Sequence, residues 1–204
     1  MLQTQAVADS TLELLKKLQS KDYLGEFYLA GGTALALYWG HRQSIDLDLF
    51  TSHDFDPVSL LDQIQQDFDL QLLFTSTNTI KGYINGVNVD FIAHKYPLLQ
   101  APYHEKELRL LSEEDILAMK LNAVSVSGQR AKDFVDIFFG LNNHSLAQMV
   151  GYYQEKYDQK QASHVMKSLV YFDEVDLADW PVMLKQPDLK WDEVKTRIEK
   201  AVIN

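Results

Sequence analysis

Asp46 and Asp48 stand two apart in the run Ile45-Asp46-Leu47-Asp48-Leu49-Phe50. As a strand, this run puts Asp46, Asp48 and Phe50 on one face and Ile45, Leu47 and Leu49 on the other. Neighbouring carboxylates repel each other. A cation between them removes the repulsion, and Mg²⁺ favours carboxylate oxygens together with phosphate oxygens. Upstream, the apolar run Phe27-Tyr28-Leu29-Ala30 ends at Gly31-Gly32. Two glycines allow a sharp turn and the close approach of a ligand to the main chain. Thr33 is placed to cap a helix over 34–38, and the N–H groups at such a helix start attract phosphate. A phosphate cradle followed by a carboxylate pair suits phosphoryl or nucleotidyl transfer. There, metal ions neutralise charge and activate the attacking oxygen.

The elements that must position these groups can be traced along the chain. Leu12, Leu14, Leu15 and Leu18 have helical spacing, with Ser10 as the expected N-cap. Asp56-Pro57 opens a second helix whose buried stripe is Leu60, Leu61, Ile64 and Phe68. Residues 70–76 are an expected strand. Asn85-Gly86 joins two further extended runs, 79–84 and 87–93, in a strong hairpin pattern. On the second arm, Asp90 shares a face with Asn88, Ile92 and His94. That arm can lie beside the Asp46/Asp48 strand. Tyr96 to Tyr103, with two prolines, reads as a linker into a helical second half. Ser112 to Asp115 resembles a capping box with Asp in place of Glu. In the helix behind it, Lys120 falls four residues after Ile116 and four before Val124, inside the apolar stripe. A lysine there either snorkels to the edge or serves a charged ligand. Asp133 and Asp136 share a face of the next helix. The tail, residues 190–200, carries Lys190, Lys195, Arg197 and Lys200, which reads as a solvated face or a place for an RNA end or an acidic partner.

The glycine turn followed by Asp-x-Asp resembles the signature of the DNA polymerase β-like nucleotidyltransferase superfamily, here with thirteen residues between Gly32 and Asp46. The wider wording, AGGTALAL then HRQSIDLDLF, is similar to the AbiEii/AbiGii toxin family of nucleotidyltransferases. ILAMKLNAV and the R-x-K-D-x-x-D pattern from Arg130 to Asp136 match further motifs of that family. The resemblance implies an α/β (α+β) fold: a small mixed sheet with flanking helices in residues 1–100, then a helical region in 101–204 packed over the active face. It implies Asp46, Asp48 and Asp90 as ligands of Mg²⁺ or Mn²⁺. It implies nucleoside triphosphate contacts from Gly31, Gly32, Thr33, Arg42, Ser44, Lys120 and Lys132. Lys120, Asp133 and Asp136 complete the catalytic set, with an aspartate positioning Lys120 or the sugar. Because family members include type IV toxins, a tRNA or other RNA end is the leading acceptor, and a cognate antitoxin is an expected partner.

Composition narrows the classes. Hydrophobic residues make up 46% of 204, enough for a proper core, and there is no cysteine for disulfides or thiolate zinc sites. The six histidines lack metal-ligand spacing, and neither a Walker A sequence nor a G-x-S-x-G elbow is present. The formal net charge of −10 opposes a non-specific grip on duplex DNA. The first residues lack signal-peptide character and no apolar run reaches membrane-span length, so the cytoplasm is the expected location. Two alternatives stand beside this: a non-catalytic nucleotide-binding regulator, which differs in class, and a nucleotidyltransferase of small molecules, which keeps the chemistry.

Overall fold

The computed structural model describes residues 1–203. A seven-stranded mixed sheet runs β3-β4-β5-β2-β1-β7-β6. Its strands are β1 (Tyr28–Leu29), β2 (Leu47–Thr51), β3 (Leu70–Ser76), β4 (Thr79–Ile84), β5 (Val87–Ala93), β6 (Tyr103–Glu105) and β7 (Leu108–Leu110). The central pair β2 and β5 is parallel, with Asp48 opposite Asp90. The Asn85-Gly86 turn has positive φ at both residues, +53° and +78°. That is the hairpin geometry expected of this dipeptide.

The expected linker ends differently from its reading. Beyond residue 102 the chain makes β6 and β7 before turning helical, and β7 pairs parallel to β1 through Leu29 and Leu110. The sheet thus draws strands from both sides of residue 100. The reason is local: Leu108 and Leu110 alternate with Arg109, a short half-buried strand pattern.

α1 (Asp9–Gln19) buries Leu12, Leu14, Leu15 and Leu18 as expected. It starts one residue before Ser10, with Ala8 at the N-cap and no side-chain cap. α2 is Gly31–Trp39, and α3 (Pro57–Asp67) opens as expected, with the Asp56 carboxylate accepting from the Ser59 N–H at 3.1 Å. α4 (Glu113–Val126) is the hub of the second half. α2, α5 (Ala131–Gly140), α6 (Leu146–Tyr157) and α7 (Ser163–Leu169) all pack on it. Ile116, Leu117, Ala118 and Leu121 are completely buried there. Asp115, also in α4, accepts from the N–H groups of Leu99 and Gln100 and pairs with Lys156 of α6 at 2.6 Å. These bonds fasten the connecting segment to the helices. α8 (Trp191–Ile203) closes the structure with Val194 and Ile198 inward. Its basic residues are partly engaged: Lys195 with Asp192, and Arg197 over the Phe138 ring. Among the described residues no helix is long and apolar enough to cross a membrane.

Candidate active site

The end of β1 is pinned to β2 by the Ala30 N–H, which donates to the Asp48 carbonyl at 2.8 Å. This bond sets the start of α2 against the carboxylate strand. Gly31 takes φ +66°, and a Cβ there would overlap Asp48 Oδ2. A Cβ on Gly32 would overlap Arg42 Nη2. Both glycines therefore make room for a neighbouring charged side chain. Thr33 is not the helix cap. The helix begins at Gly31 with Ala30 at the N-cap, because the permissive glycines continue into the helical turn. Thr33 is buried inside it, 2.8 Å from Ser44 Oγ and donating to the Asp46 carbonyl. It anchors the loop that delivers Asp46.

β2 begins at Leu47, so Asp46 precedes the strand and Asp48 lies within it. Ile45, expected to share a face with Leu47 and Leu49, is 66% exposed while those two are buried, because strand alternation has not yet begun at that position. Asp90 lies across from Asp48 on β5 and is nearly buried. Its Oδ2 sits 2.5 Å from Lys81 Nζ on β4. Burial pushes the Asp48 carboxyl above the usual carboxylate range, and Asp90 and Asp46 add to that push against the opposing field of Lys120. Among the described residues, no three His, Cys, Asp or Glu side chains stand together as a preformed metal cluster. The expected convergence of Asp46, Asp48 and Asp90 is thus looser than a closed cage. Repulsion and the pull of Lys81 on Asp90 explain the looseness. The donor set still fits Mg²⁺, which commonly takes one or two carboxylates and completes its shell with substrate phosphates and water.

A second charged cluster is closed. Lys120 does not snorkel. Its Nζ is 2.6 Å from Asp133 Oδ1 and 2.7 Å from Asp136 Oδ2, all buried. Arg42 donates twice to Asp136, from Nε at 2.7 Å and Nη2 at 3.0 Å. His41, fully buried between Trp39 and Phe139, is 2.8 Å from Asp136 through Nε2. Burial pushes its imidazole down, so the neutral ring donates from Nε2 while Nδ1 has no partner. Burial alone would raise the Asp136 carboxyl, but Arg42 and Lys120 overrule it and hold it well below the carboxylate range. Burial likewise opposes the charge on Lys120, yet Asp133 and Asp136 raise its pKa. Asp136 does not pair with Lys132, whose Nζ reaches Asp179 at 3.2 Å.

Arg42, Ser44, Asp46 and Lys132 line a cleft of about 220 Å³, walled by Asp179, Trp180 and Val182. The wall is held by backbone bonds from Gln43 to Val182 and from Leu184 to His41. A larger cavity of about 630 Å³ lies between α6, α7 and α8, lined mainly by apolar residues such as Leu146, Val150 and Met166. None of the expected site residues lines it, so the smaller cleft is the better candidate for the chemistry. Sequence reasoning missed Lys81, His41 and Trp180. Only Lys81 had a usable signal: a two-residue Asn-Gly turn pairs Ile84 with Val87 and, counting back, Lys81 with Asp90.

A mixed sheet with packed helices is also the fold of two crystal structures, each at TM-score 0.59 and 16% identity. One is of a "putative nucleotidyltransferase" from H. pylori, with 96% of this chain and 94% of that chain covered. The other is of JHP933 from Helicobacter pylori, with 97% and 92% covered. Residues 13–73 match the family model described as nucleotidyl transferase AbiEii toxin, type IV TA system. The uncharacterized protein aq_aa25 of Aquifex aeolicus (strain VF5) is 35% identical over 168 residues, 79% of this chain and 81% of that one. The chain belongs to the AbiEii nucleotidyl transferase family. Its enzyme class is nucleotidyltransferase.

Proposed function

We propose that the protein transfers a nucleoside monophosphate from a nucleoside triphosphate to an acceptor hydroxyl, with Mg²⁺ or Mn²⁺ as cofactor. The observation that carries this reading is the Asp48–Asp90 rung. Two carboxylates face each other on adjacent parallel strands, and Asp48 is held above its ordinary pKa. An arrangement that unfavourable on its own is one that a cation relieves. When bound, the metal neutralises phosphate charge and acidifies the attacking hydroxyl. Asp46, Asp48 and Asp90 would hold it. The cleft beside Asp46 takes the triphosphate, with Lys132 and Ser44 on its wall. The acceptor oxygen bonds to the α-phosphorus, its proton passes to Asp90, and the bond to the departing pyrophosphate breaks. Lys81 fixes the orientation of Asp90. Asp133 and Asp136 hold Lys120 in place, and its charge acts on Asp48.

A cognate antitoxin as partner follows from the family description, and an RNA end as acceptor from the motif resemblance of the sequence. The test is incubation of the purified protein with each α-labelled nucleoside triphosphate, Mg²⁺ or Mn²⁺, and either total RNA or small metabolites. Label should move to one pool, stop with a chelator, and fail with Asp48→Asn. Metal-independent labelling, or full labelling by the Asn variant, would overturn the reading.

A further inference from the structure

The outer half of the sheet has one covered face and one open face. α3 packs on β3 and β4, and Leu70, Ile80 and Ile84 are buried. The opposite face carries two cross-strand rows. In the first, Asp48 pairs with Asp90, Asp90 with Lys81, and Lys81 with Phe74. In the second, Asn88 pairs with Tyr83, and Tyr83 with Gln71. Directly opposed residues share a face. The first row therefore leads from the carboxylates toward the sheet edge, and the second runs beside it. Tyr83 is 38% exposed and Phe74 52%.

Phe74 reaches this face through a bulge. By strand alternation it would follow Leu70 and Leu72 to the α3 side. The register shifts between Leu72 and Phe74, which makes Leu73 an extra residue. A one-residue shift turns every later side chain over. An aromatic that could have faced the covered side is instead displayed beside Lys81 and Tyr83.

Charge selects the occupant. The chain carries a formal −10, yet between Leu70 and Val89 Lys81 is the only charged residue. This face is an uncharged patch with one cation and two open rings, next to carboxylates that would receive a hydroxyl. Exposed aromatics on a sheet stack single-stranded bases, and a nearby cation tracks the backbone. Successive strands are about 4.8 Å apart, so Phe74, three strands from Asp48, lies roughly 14 Å away, within reach of a few nucleotides.

We propose that Tyr83, Phe74 and Lys81 form a stacking platform for a single-stranded nucleic-acid end. The bases lie on the two rings. Lys81, with three N–H donors and one directed at Asp90, serves a backbone phosphate with another. The terminal hydroxyl comes to Asp48 and Asp90. A duplex offers no free base faces and does not fit. This inference rests on the nucleotidyl-transfer reading.

The test is fluorescence anisotropy of the full chain with a short end-labelled oligoribonucleotide, its deoxy counterpart and its duplex. The single strand should bind and the duplex should not; the ribo and deoxy arms identify the sugar. Tyr83→Leu and Phe74→Leu should each weaken single-strand binding roughly 5- to 100-fold. Tyr83→Trp should restore it. Nucleoside triphosphate binding by calorimetry and the melting temperature should not move in any variant. Unchanged oligonucleotide affinity in both Leu variants, with triphosphate binding intact, overturns the platform and leaves nucleotidyl transfer standing. A wild-type protein that neither binds nor transfers any nucleotide overturns the underlying reading and this inference with it. A dimer that Phe74→Lys splits, with no change in oligonucleotide affinity, makes the face a contact between copies and also overturns the platform.

Discussion

Lys120 touches one group of carboxylates and acts on another only through space. Asp133 and Asp136, which it touches, share Lys120, and Asp136 also accepts from Arg42 and His41. Asp48, which feels Lys120 at a distance, has Asp90 and Asp46 as like-charged neighbours, and the nearby Lys81 bonds to Asp90. Burial pushes both carboxyls upward, and their charged neighbours decide the outcome. Asp136 drops well below the carboxylate range, and Asp48 rises above it. The partnered group is costly to break once buried, and the under-partnered one is where the proposed cation would act. Carboxylates alone do not distinguish function from scaffold; the count of partners does.

Predictions that bear on this contrast begin with the closed group. Asp136→Asn leaves Arg42 and Lys120 buried with too little negative charge. It should cost about 3–5 kcal/mol of stability, as breaking a buried pair does. Urea denaturation would show this as a lowered midpoint at unchanged slope. An unshifted midpoint would break the comparison.

Asp48→Asn tests the open group. Transfer should fall by roughly 10²–10³-fold, the scale of losing one electrostatic group at a reacting centre. At neutral pH the variant should melt no lower than wild type. The pH dependence has a definite sign. A carboxyl raised in the folded state is a stability cost at high pH, and protonation relieves that cost as pH falls through the raised value. Asp136 behaves the other way: its contribution is present above the ordinary carboxylate pKa and is lost as pH falls through its lowered value. The stability advantage of Asp48→Asn should therefore shrink on acidification. Paired melting curves across pH read this directly, and an advantage that grows on acidification would refute the assignment.

Gly31→Ala forces a Cβ into the left-handed region and onto Asp48 Oδ2. It should cost about 1–3 kcal/mol and displace the carboxylate. Calorimetry would detect both, as a lower melting temperature and weaker Mg²⁺-nucleotide binding. The smallest effect belongs to Lys132→Gln, whose pair with half-exposed Asp179 should contribute less than about 1 kcal/mol. Triphosphate affinity should fall more visibly than stability. The reverse ranking would make Lys132 a scaffold residue.

Much of this contrast was legible before the coordinates. Asp46, Asp48 and the glycine pair lie in one short stretch, where alternation and turn chemistry are local. The Asn85-Gly86 hairpin fixed Asp90 on a strand, and its register could have fixed Lys81 as well. The pairing of Arg42 with Asp136 was not legible, although both residues stood out. It depends on how the loop after α2 meets α5, and no local pattern encodes that. For the same reason, Lys120 left two readings open from its place in an apolar stripe. The strands at 103–110 were missed because each has only three residues, too few for alternation to stand out from a linker. Gly31 and Gly32 were sensed as special, but the specific need, space for Asp48 and Arg42, is a three-dimensional fact.

The closed cluster also orders the assembly of the chain. Arg42 and Asp136 are 94 positions apart. Neither can leave water cheaply before the other arrives. A sheet that collapsed on its own would have to keep Arg42 hydrated, so α2 and its following loop cannot settle until α4 and α5 dock. Closing so long a loop is slow relative to local hairpin formation. The β3–β4–β5 meander, built on short connections, is free to form early. The carboxylate rung then finds its final surroundings only in the last, long-range step, when the helical half delivers Lys120. A chain made only as far as the meander therefore lacks the partner of Arg42, and the surroundings of Asp48 are complete only once α4 and α5 are in place.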